Sequence, residues 1–167
     1  MATANPNPRG LHTLTPNLTL RDCAKAIEFY KKALGAQEAS RFMSPDGKMV
    51  WHAELKIGDS FVFVNDEMPG MSRPAPTADS PVPVTMWINV KSCDEAYDRA
   101  MKAGAKEAGK PTDMFWGDRC AGVVDPFGYL WSFSEHQKDL TEEEMKRAGE
   151  QFARQQAQRQ QQPGAQR

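Results

Sequence analysis

A pattern ten residues long recurs in this chain. LTLRDCAKAI at 18–27 aligns without a gap on INVKSCDEAY at 88–97, and a repeat of this kind constrains the fold more than any compositional figure. In both copies an alternating apolar run leads to a polar residue and a cysteine, then to a helical pattern. Asp22 and Ser92 stand where N-caps belong, Ser92 with Glu95 at capping-box spacing, and Gly35 and Gly104 stop the two helices. Three strand-like runs follow each helix. They are QEASRFMS, KMVWHAELKI and SFVFVN in the first half, and AKEAGKPTDMF, DRCAGVVD and YLWSFSE in the second. Gly-, Pro- and Asp-containing turns separate them, so each half reads β-α-β-β-β.

The repeat sets the domain plan of the 167 residues. Residues 1–10 read as a flexible N-terminus, 11–65 as the first module and 82–137 as the second. DEMPGMSRPAPTADSP at 66–81 is too rich in proline to continue a strand or helix and is a linker. A last helix is expected at 141–158: Thr141 and Glu144 make a capping box, and Met145, Ala148 and Phe152 form a narrow apolar stripe. The Gln-rich 159–167 reads as a disordered tail.

Charge excludes some partners. With 21 Lys+Arg against 22 Asp+Glu, the chain lacks the basic footprint that nucleic acid or an anionic membrane surface would require. MATANPNPRG has no basic segment leading into an apolar one, so a cytoplasmic protein is expected. Three cysteines without CxxC spacing suggest reduced thiols. Cys23 and Cys93 lie in the first turn of a helix, where a thiol is either activated by the helix dipole or simply packed. Their recurrence beside apolar neighbours favours packing.

With TPNLTLRDCAKAIEFYKKALGA opening the first half and VVDPFGYLWSF closing the second, the chain resembles the vicinal oxygen chelate superfamily, the glyoxalase, bleomycin-resistance and dioxygenase group. HAELKIGDS at 52–60 and WGDR with DPFG at 116–128 resemble its PhnB-like branch. The resemblance spans 11–137. It implies an α+β fold in which two tandem βαβββ modules form an eight-stranded open cup, here with an added C-terminal helix, and it implies a homodimer. Metal-dependent members hold a divalent ion with one residue on the first strand of each module and a Glu on the last. Carried over position by position, those places fall on Thr15, Thr85, Ser132 and Phe63, or Val62 if a turn differs by one residue. Hydroxyls and an apolar side chain are poor ligands for such an ion, so no metal and no cofactor is expected.

Alternation assigns the faces. Leu14, Leu18 and Leu20 are expected to face the helices, leaving Thr15, Asn17 and Thr19 for the cup. Ala53 and Leu55 take the helix side of the third strand and set His52 and Glu54 together on the other. Met86, Ile88 and Val90 leave Thr85, Trp87 and Asn89 for the cup. Pairing Ser132 with Ala121 across the DPFG hairpin puts Arg119 on the cup face as well. His52 and Glu54 are either an acid-base pair or a polar pair on a half-solvated sheet; as replacement metal ligands they lack a third partner.

Two functions follow. One is a binding protein that holds a small aromatic or amphipathic molecule among Thr15, Asn17, Phe63, Thr85, Trp87, Asn89, Trp116, Arg119 and Ser132. The other is an enzyme of lyase, isomerase or dioxygenase type using His52 and Glu54 as an acid-base pair or as unconventional metal ligands; behind these two stands an interaction module working through the terminal helix, which a cup filled with side chains would favour.

Overall fold

The computed structural model describes residues 10–160. The flexible start expected at 1–10 and the tail expected at 159–167 fall, apart from Gly10, Arg159 and Gln160, outside the described residues. The first module comprises β1 (Asn17–Leu20), α1 (Cys23–Leu34), β2 (Gln37–Met43), β3 (Val50–Ile57) and β4 (Ser60–Asp66). The second comprises β5 (Thr85–Asn89), α2 (Cys93–Ala103), β6 (Lys106–Asp113), β7 (Asp118–Val124) and β8 (Leu130–His136), followed by α3 (Glu142–Gln160). The eight strands form two four-stranded sheets, ordered β1-β4-β3-β2 and β5-β8-β7-β6. The outer pairs β1–β4 and β5–β8 are parallel, and the other neighbours are antiparallel. This is the α+β architecture implied by the sequence.

The helices start as their caps dictate. Asp22 accepts the Lys25 N–H and Ser92 accepts the Glu95 N–H. A second carboxylate, carried by the last strand of each module, adds to each cap: Asp66 accepts the Cys23 N–H at 2.8 Å, and Glu135 accepts the Cys93 N–H at 2.9 Å. Negative charge at a helix N-terminus is favourable, so the same device docks each helix on its own sheet. Both thiols are buried, and burial raises the Cys23 pKa to about 12 and that of Cys93 to about 11. Packing, rather than activation, describes them.

One core joins the modules. Ile27, Tyr30 and Ala33 of α1 cover Leu18, Ala53, Leu55 and Val64, while Ala96 and Ala100 of α2 cover Val123, Trp131 and Phe133. The two helices also pack on each other. Polar links reinforce this join: the Tyr129 hydroxyl donates to the Thr19 carbonyl at 2.8 Å, and Arg99 Nε donates to the Ala33 carbonyl at 2.9 Å. The modules therefore meet through their helical sides, and each sheet turns its other face outward.

Leu14 is a correction to the alternation. It is 83% exposed, because the ladder begins only where Phe63 N–H bonds the Pro16 carbonyl and Asn17 pairs with Phe63. Proline has no N–H to extend the ladder upstream, so alternation does not reach residue 14.

Candidate functional site

Register makes the first sheet legible as rows of side chains. Asn17 lies opposite Phe63, Phe63 opposite Glu54, and Glu54 opposite Ser40, all on the face away from α1. His52 lies opposite Phe42 in the adjacent row. A bulge enters here: Val50 pairs with Met43 and His52 with Phe42, which leaves Trp51 as the extra residue, about half exposed. His52 Nε2 is 3.8 Å from Glu54 Oε1, and the imidazole meets the Phe63 ring edge-on at 4.9 Å between centroids. The imidazole is 37% exposed and the Glu54 side chain 12%. Asn17, His52, Glu54 and Phe63 are thus neighbours on one sheet.

The second sheet is built to the same plan with different chemistry. Leu18, Val64 and Ala53 in the first ladder correspond to Ile88, Phe133 and Ala121 in the second. By that correspondence Phe63 is replaced by Ser132, Glu54 by Gly122, His52 by Cys120 and Asn17 by Trp87. Ser132 lies between Trp87 and Gly122, and Ser134 lies between Asn89 and Cys120. The Ser132 hydroxyl donates to the Ala121 carbonyl at 3.3 Å, and Trp87 Nε1 donates to Asn89 Oδ1 at 3.3 Å.

Arg119 is not on this face. Ser132 pairs with Gly122 rather than Ala121, and a slip of one residue reverses every side chain of the strand. Arg119 shares its face with buried Ala121 and Val123 and reaches α2. Its Nε and Nη2 hold Asp94 at 2.6 and 2.9 Å, and its Nη1 holds Asp113 at 2.8 Å. The residues brought to the outer face instead are Asp118 and Cys120, with Ser134 and His136 of β8 beside them. The signal was present in the sequence as Ser132, Ser134 and His136 at spacing two. Trp116 lies in the β6–β7 turn, edge-on to Phe115, with its indole N–H on Asp118 Oδ2 at 3.1 Å.

A cleft of about 610 Å³ lies where the modules adjoin. Thr85, Trp87 and Asn89 of β5 form one wall, Leu14 and Pro16 another, and the β3–β4 turn with Asp59, Ser60 and Phe61 a third; Met86, Ile88 and buried Trp131 form its apolar base. Trp87 is 52% exposed. Three of the expected ligand-binding residues meet here. Thr15 is half-buried between two lining residues, whereas His52, Glu54, Phe63 and Asn17 stay together on the first sheet. The site expected as one cup is thus divided between a polar-aromatic patch and a cleft.

The metal positions of the resembled family do not suit a metal here. Thr15, Thr85 and Ser132 offer neutral hydroxyls, that of Ser132 already engaged, and Phe63 offers none. No group of three or more His, Cys, Asp or Glu is gathered for a metal among the described residues.

Two βαβββ modules, sharing a core and presenting their outer sheet faces, define the glyoxalase class of fold. The chain belongs to the Glyoxalase/Bleomycin resistance protein/Dioxygenase superfamily, whose family model matches residues 10–133. It is similar to an uncharacterized protein of Mycobacterium tuberculosis H37Rv, Rv0887c, with 38% identity over 138 residues covering 81% of each chain. An Arabidopsis thaliana protein, At5g48480, is 32% identical over 127 residues, which cover 71% of this chain and 74% of that one. The At5g48480 crystal structure superposes with a TM-score of 0.60 at 27% identity, covering 75% of this chain and 99% of that one. The bleomycin resistance determinant encoded on transposon Tn5 has a TM-score of 0.53 at 22% identity, covering 76% of this chain and 99% of that one, a likeness of fold alone.

Proposed function

We propose that this protein binds a small aromatic or amphipathic molecule in the cleft beside β5, as a cytoplasmic, homodimeric member of the PhnB-like branch that works without the usual metal. The carrying observation is the cleft of about 610 Å³ whose lining combines the half-exposed Trp87 with Leu14, Pro16 and Phe61 and, as polar groups, Thr85 and Asn89. An apolar hollow with a few convergent polar groups suits a ligand that stacks on indole and takes one or two hydrogen bonds.

The dye anilinonaphthalene sulfonate, titrated against tryptophan emission, tests this reading. Saturable quenching that weakens on Trp87→Phe and persists on Trp51→Phe is expected. Quenching that never saturates, or that ignores Trp87→Phe, removes the cleft as the site.

A second reading rests on His52 and Glu54, set 3.8 Å apart over Phe63. In an enzyme Glu54 would orient the imidazole and His52 would move a proton. The two readings separate at His52→Ala. A binder working through the cleft keeps its dye affinity, because His52 does not line the cleft. An acid-base enzyme loses turnover by roughly a hundredfold or more.

A further inference from the structure

His136, at the last position of β8, has carboxylates on both ring nitrogens. Nδ1 is 2.8 Å from Asp118 Oδ1 on β7, and Nε2 is 3.0 Å from Asp139 Oδ1 in the loop that leads to α3. Asp118 is itself firmly placed, since its Oδ2 accepts from the Ser134 hydroxyl at 2.9 Å and from the Trp116 indole at 3.1 Å. Asp139 has no such support and its side chain stands in solvent.

That loop is pressed onto the β6–β7 turn. The Gly117 carbonyl accepts the N–H groups of both Gln137 and Lys138. A Cβ on Gly117 would lie 2.4 Å from the Lys138 carbonyl oxygen, so only glycine permits the approach. Further along, Phe115 from the same turn packs on Phe152 of α3 at 5.4 Å and lies beside Gly149. α3 is otherwise exposed along most of its length. Among the described residues its attachment rests on the Phe115–Phe152 contact and on the loop at its base.

We infer that His136 is a pH-sensitive latch that ties the base of α3 to the second sheet. Only the imidazolium carries a proton on each nitrogen and can donate to Asp118 and Asp139 together. When the proton leaves, Asp118 keeps the Nδ1 hydrogen, because Ser134 and Trp116 hold it in place. The lone pair of Nε2 then faces the Asp139 carboxylate, Asp139 is released, and the loop is left to its Gly117 bonds. The other charged groups nearby are Lys138, beside Gly117, and Glu144, whose carboxylate is held by Thr141 and feels Lys138. Neither touches the ring. Both carboxylates, Asp118 foremost, raise the His136 pKa above its ordinary 6.5. A raised value in the folded state means that the latch is complete below the ordinary histidine range and is lost as pH rises through the folded value.

Amide hydrogen exchange of the full chain, read over residues 142–152 after removal of the intrinsic pH dependence, tests this. Protection should be roughly two- to fivefold weaker at about pH 9 than at about pH 6, the scale of an exposed ion pair. His136→Gln and Asp139→Asn should each abolish that difference. No change in the unmodified protein, or the same change in His136→Gln, overturns the inference. The ring titration of His136 by NMR supplies a second reading that needs no change at residue 136: its midpoint should fall on Asp139→Asn, and an equal midpoint overturns the latch.

Discussion

Asp125 ties the second module to α1 of the first. Its carboxylate is fully buried and takes four donors: the Tyr30 hydroxyl of α1 at 2.8 Å, the Trp131 indole at 2.9 Å, and the N–H groups of Phe127 and Tyr129. Removing it leaves four donors without an acceptor, three of them buried and the Phe127 N–H partly so, which is worth far more than one such bond counts for singly. Asp125→Ala should cost about 3–5 kcal/mol, read as a fall in the urea midpoint with the slope kept. Its pH signature also has a definite sign. Burial is the largest influence and raises the Asp125 pKa, outweighing the donors that lower it. The folded state then holds this proton more tightly than the unfolded one. The stability so gained is full below the ordinary carboxylate value of about 3.9 and is lost as pH rises through the folded value. Asp125→Asn should flatten that decline in acid urea melts, and an unchanged decline would assign it to other carboxylates.

At the scale of elements, the repeat, both helix caps and the strand count could be read directly from the sequence, because each rests on a local signal. Hairpin register could not. The β7–β8 turn runs from Asp125 to Tyr129, closed by Asp125 N–H on the Tyr129 carbonyl at 2.9 Å and shaped by the Asp125 side chain. That side chain is held by Tyr30, 95 residues away, so the turn length is set by a tertiary contact. DPFG alone leaves the length open by one residue, and that residue decides whether Arg119 or Asp118 faces outward. The Trp51 bulge was hidden for a similar reason, since an extra residue in one strand leaves the apolar pattern nearly intact. His52 and Glu54 lie beyond the bulge in regular alternation, and their shared face was accordingly legible. The corrected register carries its own test. Arg119→Ala should leave dye binding in the cleft unchanged, because its guanidinium holds Asp94 and Asp113 on the far side of the sheet. A loss of binding equal to that of Trp87→Phe would restore the slipped register.

In the whole molecule the modules dock through α1, α2 and the Asp125 turn, and this decides what is left uncovered. Both sheets turn their outer faces to solvent, and Phe42, Trp51 and Trp87 on them are about half exposed or more. α3 adds Met145 and Phe152, a stripe too narrow to be covered by its contact with Phe115 alone. Large aromatics grouped on an open face mark a surface that another body covers. A second copy of the chain, laid face to face, would cover both sheets at once by a two-fold axis. Light scattering should then give twice the chain mass at micromolar concentration. Trp87→Asp and the deletion of 141–167 address the two surfaces separately. The first puts a charge on the sheet face, and the second removes the helix with its stripe. If the sheets form the interface and α3 clasps it, each change should shift the dimer toward monomer, and the two together should do so more completely. A monomer at micromolar concentration, unaltered by either change, would leave the outer faces without a partner of this kind.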